Sequence, residues 1–248
     1  MIAVVAAAAL AAGLLVGLTG IGGVILVPAL TGAAGMPLER VIPACMVGFF
    51  FSSLYASFIH VRRARLDLRR VAALCLAAAA GAALGAATLH RLPDLGVRLF
   101  VAALALASGA HALVAGHAPG TRTPGPPALA VLGALVGYGS AISGTGGPVM
   151  LIPILLLLRT PVAPAIALGV TSGLPITIAA TSVYATAGLI DARLALALVA
   201  FLVAGVYVGA RLLRHLSARA LTVAVAWTLI GVGLWFGLHS LASFGSFR

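Results

Sequence analysis

Thr19-Gly20-Ile21-Gly22-Gly23 and Ser143-Gly144-Thr145-Gly146-Gly147 are two glycine clusters, each flanked by long apolar sequence. The clusters lie 124 residues apart, and landmarks downstream recur at the same offset: Asp67 with Asp191, Gly81 with Gly205, and Gly85 with Gly209. This register predicts a tandem duplication. Glycine is a poor helix former, so each cluster is predicted to break a helix inside its half.

The composition places most of the chain inside a lipid bilayer. Hydrophobic residues make up 62% of the chain and charged residues 8%, with a mean hydropathy of +1.21. Soluble domains carry about a quarter of their residues as charged side chains. A spanning helix needs about 20 predominantly apolar residues, and several stretches of this chain meet that length. The fold class predicted is an all-α integral membrane protein.

The charged residues are few and lie at the ends of the apolar segments. The net charge of +11 comes from fifteen arginines, because the chain contains no lysine. Arginines at these positions orient the protein and meet lipid phosphates, so a nucleic-acid partner is not expected. No acidic or basic residue falls near the middle of a predicted span, which argues against a carboxylate proton relay. Cys45 and Cys75 have no zinc-site spacing, and no cofactor or metal is expected.

A stretch dense in proline and glycine, residues 116–127, is predicted to link the halves. The domain prediction is a first membrane repeat over 1–115 and a second over 128–248. Each half is predicted to open with a glycine-broken segment, 2–34 or 128–158. Three spanning helices follow in each half, and they are predicted over 38–60, 71–89, 97–115, 163–187, 194–212 and 219–238.

The arginine distribution bears on whether the halves are parallel or inverted. The first turn between spanning helices has five arginines in the first half (Arg62, Arg63, Arg65, Arg69, Arg70) and only Arg193 in the second. At the next turn the bias reverses, with Arg211, Arg214 and Arg219 against Arg91 and Arg98. If both broken segments are re-entrant hairpins, ten arginines face the cytoplasm and five face out; parallel halves give eight to seven. Inverted halves with re-entrant segments are therefore predicted.

The glycine clusters have the chemistry of an anion site. At a helix break, the N–H groups of the following half-helix are free, and the helix dipole makes the gap attractive to anions. Glycines let a ligand approach the main chain. The alternative is that they only allow close helix packing. The predicted substrate-binding residues are Thr19, Gly20, Gly22, Gly23, Ser143, Gly144, Thr145, Gly146 and Gly147, with Ser52, Thr171 and Ser172 lining the cavity from later helices.

The sequence resembles the sulfite exporter TauE/SafE family of bacterial membrane anion permeases. The resemblance rests on the first cluster with Pro28, the turn 62–67, the second cluster with Pro153, and the stretch 188–191. It covers nearly the whole chain. One departure is that Gly23 and Pro28 are one residue closer together than Gly147 and Pro153. The first-half site is therefore less secure than the second.

The resemblance implies a transporter in the bacterial inner membrane that carries small sulfur-containing anions, such as sulfite, sulfoacetate or a related organosulfonate. An exporter or channel for neutral or zwitterionic solutes such as amino acids is the alternative, since hydroxyl-lined breaks also bind zwitterions. An intramembrane serine hydrolase using Ser140 or Ser143 is disfavoured, because no histidine clearly reaches either residue. The sequence leaves a homo-oligomer open.

Overall fold

The computed structural model describes residues 2–19, 23–61, 67–114, 123–212 and 218–245, and within these ranges every regular element is helical. The first half contains α1 (Ile2–Thr19), α2 (Gly23–Pro28), α3 (Leu38–Val61), α4 (Leu68–Thr88) and α5 (Asp94–Val114). The second contains α6 (Pro126–Ser143), α7 (Pro148–Leu157), α8 (Val162–Thr186), α9 (Ala192–Leu212) and α10 (Ala218–Gly245). The all-helical prediction is confirmed.

The helices suit a multi-pass membrane protein. In the described part of the chain, α4, α5, α6, α8, α9 and α10 are long and apolar enough to cross a membrane. At 24 residues, α3 also exceeds the length that a span requires. The six predicted spanning helices correspond to α3, α4, α5, α8, α9 and α10, with α10 ending seven residues later than expected, at Gly245 rather than at 238. Part of the predicted linker lies outside the described residues.

The predicted broken segment of the second half contains a helix break at its glycine cluster, whereas residues 20–22 of the first cluster lie outside the described residues. In the second half, α6 ends at Ser143 and α7 begins at Pro148. Gly144, Gly146 and Gly147 have φ of +69°, +83° and +101°, a region that residues with a side chain enter only at a cost. Pro148 suits the first helical position, because proline has no N–H to leave unpaired there.

The two half-helices that follow the breaks differ. In the second half, α7 is an uninterrupted ten-residue α-helix that contains Pro153. In the first half, α2 ends after six residues at Pro28, and a π-helical turn over Ala29–Ala33 continues it. The two halves differ here in sequence as well, because the glycine cluster and the proline are one residue closer together in the first half than in the second.

The halves interlock through their glycines, in the register that the sequence predicts. A Cβ on Gly13 of α1 would collide with the carbonyl of Leu202 in α9, and one on Gly137 of α6 would collide with the carbonyl of Ala78 in α4. Both members of the first pair lie 124 residues from their counterparts in the second. The same offset relates the contacts Gly205–Leu10 and Gly81–Ala134, and Gly209–Leu14 and Gly85–Tyr138. The first helix of each half thus packs on the fourth helix of the other half.

The helix directions follow from these contacts. Residue numbers rise together along α1 and α9, and along α4 and α6, so each pair runs parallel. An ion pair between Arg40 and Asp191 brings the beginning of α3 to the beginning of α9. Because α8 ends just before Asp191, α3 and α8 run antiparallel. The two helices α3 and α8, which occupy equivalent places in the sequence of the two halves, therefore point in opposite directions.

Asp67 and Asp191 play the same local role in the two halves. Asp67 accepts a hydrogen bond from the Arg69 backbone N–H at 3.0 Å, at the start of α4. Asp191 accepts from the Leu194 N–H at 3.0 Å, at the start of α9. That hydrogen bond, together with Arg40, lowers the pKa of Asp191. A lowered pKa keeps this carboxylate ionised at neutral pH, and the ion pair is lost only when the pH falls through the lowered value.

Candidate functional site

A small cleft lies in the interior between the two halves, at the level of the helix breaks. Its cavity volume is about 30 Å³. The lining comes from α1, the beginning of α2, the middle of α3, the second break with the start of α7, and α8: Val16, Gly23, Phe49, Ser52, Ser53, Thr145, Gly146, Pro148 and Val170. We call this the central cleft. Both halves therefore contribute to one site.

The second break supplies backbone groups to the central cleft. Among the described residues, none accepts a hydrogen bond from the N–H of Gly146 or Gly147. A side chain at position 146 would press on Phe49, and one at position 23 would collide with the carbonyl of Thr145. These close approaches require glycine. As a result, the main chain of both predicted broken segments lies against the same cavity.

The hydroxyl groups near the cleft are not equally available. Ser52 Oγ donates to the carbonyl of Phe49 at 3.1 Å, and Thr145 Oγ1 shares a 2.8 Å hydrogen bond with Ser143 Oγ. For the Ser53 hydroxyl, the described residues offer no hydrogen-bond partner. Ser53 Oγ lies 3.0 Å from the place where a Cβ on Gly173 would be. Ser53 is thus the side chain of the cleft with an unused donor.

Four of the residues predicted from sequence meet at the central cleft: Gly23, Ser52, Thr145 and Gly146. Three others, Ser143, Gly144 and Gly147, belong to the same break but do not line the cavity. Thr19 ends α1, while Gly20 and Gly22 lie outside the described residues.

Thr171 and Ser172 are not brought to the central cleft. Thr171 Oγ1 donates to the carbonyl of Ala167 at 2.7 Å, and Ser172 Oγ donates to that of Gly169 at 2.8 Å. A serine or threonine in a membrane helix often satisfies its hydroxyl in this way. Their hydroxyls therefore serve α8 itself.

The sequence prediction missed the apolar lining, which consists of Val16, Phe49, Pro148 and Val170. Phe49 carried a signal that could have placed it there. It lies four residues before Ser53, so both side chains share one face of α3. Val16 and Val170 carry no such signal, because a valine in an apolar helix looks the same whether it faces a cavity or a neighbouring helix.

Among the described residues that line the central cleft, none has an ionised side chain. An anion there would lie beside the Ser53 hydroxyl, Gly146 and the positive end of α7, which carries roughly half an elementary charge. Such sites hold oxyanions through their oxygen atoms. Apolar walls make each of these hydrogen bonds stronger than it would be in water.

The serine pair at the second break does not have the geometry of a hydrolase. Ser140 Oγ lies 3.9 Å from the sulfur of Met150, and Ser143 Oγ is hydrogen-bonded to Thr145 Oγ1. No described histidine is hydrogen-bonded to either serine. A catalytic serine needs an adjacent base to activate it.

Comparison with known proteins agrees with this architecture. A family model described as Sulfite exporter TauE/SafE matches residues 5–236, which include both glycine clusters and every residue that lines the cleft. No curated protein and no solved structure matches the chain. Because the match covers nearly all of its 248 residues, the chain belongs to the sulfite exporter TauE/SafE family, a family of membrane transporters of sulfur-containing anions and not of enzymes.

Proposed function

We propose that the protein transports a small sulfur oxyanion, sulfite or a close organosulfonate, and that the ion binds in the central cleft. The observation that carries this proposal is that Ser53 and Gly146 line the same cleft, and that neither the Ser53 hydroxyl nor the Gly146 N–H has a described hydrogen-bond acceptor. Both groups are donors without a described acceptor. An oxyanion supplies acceptors for both.

The shape of the second break supports an anion in particular. α7 begins at Pro148, beside the cleft, and is ten residues long. The N-terminus of a helix favours negative charge, because its first N–H groups are free and its dipole is aligned toward the ligand. A zwitterion would also need an acceptor for its ammonium group, and the described lining residues include no carboxylate. The donors therefore favour an anion over an amino acid.

The place of the cleft also suits a transport site. Transporters built from repeats bind their substrates near the membrane midplane, between the repeats, at discontinuous helices. Here Ser52 and Ser53 lie near the middle of the 24-residue α3, and the lining comes from both halves. We propose further that the halves are inverted in the membrane and that the protein resides in the bacterial inner membrane.

Substitution of Ser53 tests this proposal. A hydrogen bond to a charged group contributes about 1.5–3 kcal/mol, so Ser53→Ala is expected to weaken sulfite binding by roughly 10- to 100-fold. Binding can be measured by isothermal titration of the purified protein in detergent.

The matched control is Thr177→Val at the repeat-equivalent position. The Thr177 hydroxyl already donates to the carbonyl of Gly173 at 2.8 Å, so its loss should leave sulfite affinity unchanged. Equal affinities for wild type, Ser53→Ala and Thr177→Val would remove the proposed site. Displacement of sulfite by glycine at equal concentration would favour a carrier for amino acids.

A further inference from the structure

The central cleft is unequal in its two halves, although its walls come from repeat-equivalent helices. Phe49 of α3 and Gly173 of α8 are 124 residues apart and therefore occupy equivalent positions. Both lie against the same backbone: a Cβ on Gly146 would be 3.3 Å from Phe49, and a Cβ on Gly173 would be 3.1 Å from the carbonyl of Gly146. One repeat places an aromatic ring here, and the other places no side chain.

Phe49 is the largest side chain among the described residues that line the cleft, and 3% of its surface is exposed. Its backbone is held in place as well, because Ser52 Oγ donates to its carbonyl at 3.1 Å. An interior ring packed on a glycine has little freedom to move aside, since protein interiors are close-packed. Phe49 thus fixes the size of the cavity.

The remaining space fits only a compact ligand. A cavity for one water needs roughly 10–15 Å³ on the same measure, so a volume of about 30 Å³ holds two or three groups of that size. Sulfite, with one sulfur and three oxygens, needs only slight widening of this cleft. The carbon tail of an organosulfonate needs more space than this, and the Phe49 ring is the largest group among the described residues that bound the cleft.

We propose that Phe49 is a specificity-determining residue that restricts the central cleft to compact oxyanions of the size of sulfite and excludes organosulfonates with a carbon chain. This inference rests on the proposed function and narrows its substrate class. The second half has no counterpart of the ring, because the equivalent residue is Gly173, which packs on the Gly146 carbonyl without lining the cleft.

Competition experiments on Phe49 variants test the inference. Uptake of radiolabelled sulfite into proteoliposomes is measured with increasing unlabelled sulfoacetate. Wild type is expected to resist competition. Phe49→Ala should be inhibited by sulfoacetate at a concentration about tenfold lower than wild type requires, because the added space admits the carbon tail. Phe49→Leu removes less volume and should show a smaller shift in the same direction, and it serves where the alanine variant does not fold.

The matched control is Phe51→Ala on the same helix. Phe51 is 43% exposed and lines a separate cavity against α9 rather than the central cleft, so its loss should leave the competition unchanged. Sulfite uptake by wild type together with equal sulfoacetate sensitivity in wild type and both Phe49 variants would overturn this inference alone. Failure of folded wild type to take up any oxyanion would instead overturn the proposed function.

Discussion

At the scale of single residues, the glycines of the second break differ from those inside the helices. Gly146 has φ of +83°, so alanine at this position would be strained whatever space it met. Its Cβ would also lie 3.3 Å from the Phe49 side chain. Gly81, inside α4, has an ordinary helical conformation but a more severe neighbour, because its Cβ would collide with the carbonyl of Ala134.

We expect Gly146→Ala to lower sulfite uptake more than it lowers the yield of folded protein. The strain of a left-handed residue is about 1–2 kcal/mol, which a large helical bundle can tolerate, whereas the change moves the backbone donor of the site. Uptake per amount of monodisperse protein measures this. Gly231→Ala is the control, since no described atom lies within 4 Å of the Cβ that it adds. A proportional loss of uptake and folded protein would favour a packing role for Gly146.

How far the sequence predicted the site can be judged from individual residues. Gly23, Ser52, Thr145 and Gly146 were predicted because glycine clusters and hydroxyls in apolar sequence are conspicuous. Thr171 and Ser172 were predicted on the same ground, yet their hydroxyls bond within α8. Composition does not distinguish these cases, because the direction of a hydroxyl depends on local helix geometry.

At the scale of helices, association depends on bare backbone rather than on large side chains. The hydrophobic effect does not drive helices together within lipid, so close backbone contact and its dispersion energy are needed. Gly81 and Gly85 of α4 lie against α6, and Gly205 and Gly209 of α9 lie against α1. Because the glycines have the same spacing in both halves, the two interfaces are predicted to be equally sensitive to substitution of a glycine.

We expect Gly81→Ala and Gly205→Ala to destabilise the protein to similar extents, by separating α4 from α6 and α9 from α1. The thermal midpoint of the detergent-purified protein is the measurement, with Gly231→Ala as the variant that should leave it unchanged. A large drop for one substitution and none for the other would show that the two interfaces are not equivalent, against the repeat register.

The extents of the helices were largely predictable, because long apolar segments separated by arginines and prolines leave few alternatives. The predicted span 38–60 corresponds to Leu38–Val61, and 194–212 corresponds to Ala192–Leu212. The π-helical turn at Ala29–Ala33 was not predictable, because its sequence is ordinary helical sequence and the turn depends on how the segment packs.

At the scale of the whole molecule, the ion pair between Arg40 and Asp191 bears on topology independently of the arginine count. It joins the beginning of α3 to the end of the loop that follows α8. Parallel halves would place these two ends on opposite sides of the membrane. The contact therefore supports inverted halves, and it was not foreseeable because the partners lie 151 residues apart.

Thiol labelling of intact cells tests this inversion. Leu68 and Ala192 are repeat equivalents, both are exposed, and they begin α4 and α9. In a background lacking Cys45 and Cys75, we expect a membrane-impermeant reagent to label Ala192→Cys but not Leu68→Cys, because the five arginines beside Leu68 favour the cytoplasm. Labelling after cell lysis controls for access to each thiol. Equal labelling of both positions in intact cells would contradict the inversion.

Flux of radiolabelled sulfite into proteoliposomes, beside flux of a radiolabelled amino acid into the same vesicles, tests the central claim most directly. Purified wild-type protein of verified fold is expected to accumulate sulfite above the level of protein-free vesicles and to leave the amino acid outside. The donors and the uncharged lining of the central cleft require this preference. Amino-acid flux without sulfite flux, from the same folded preparation, would contradict the account.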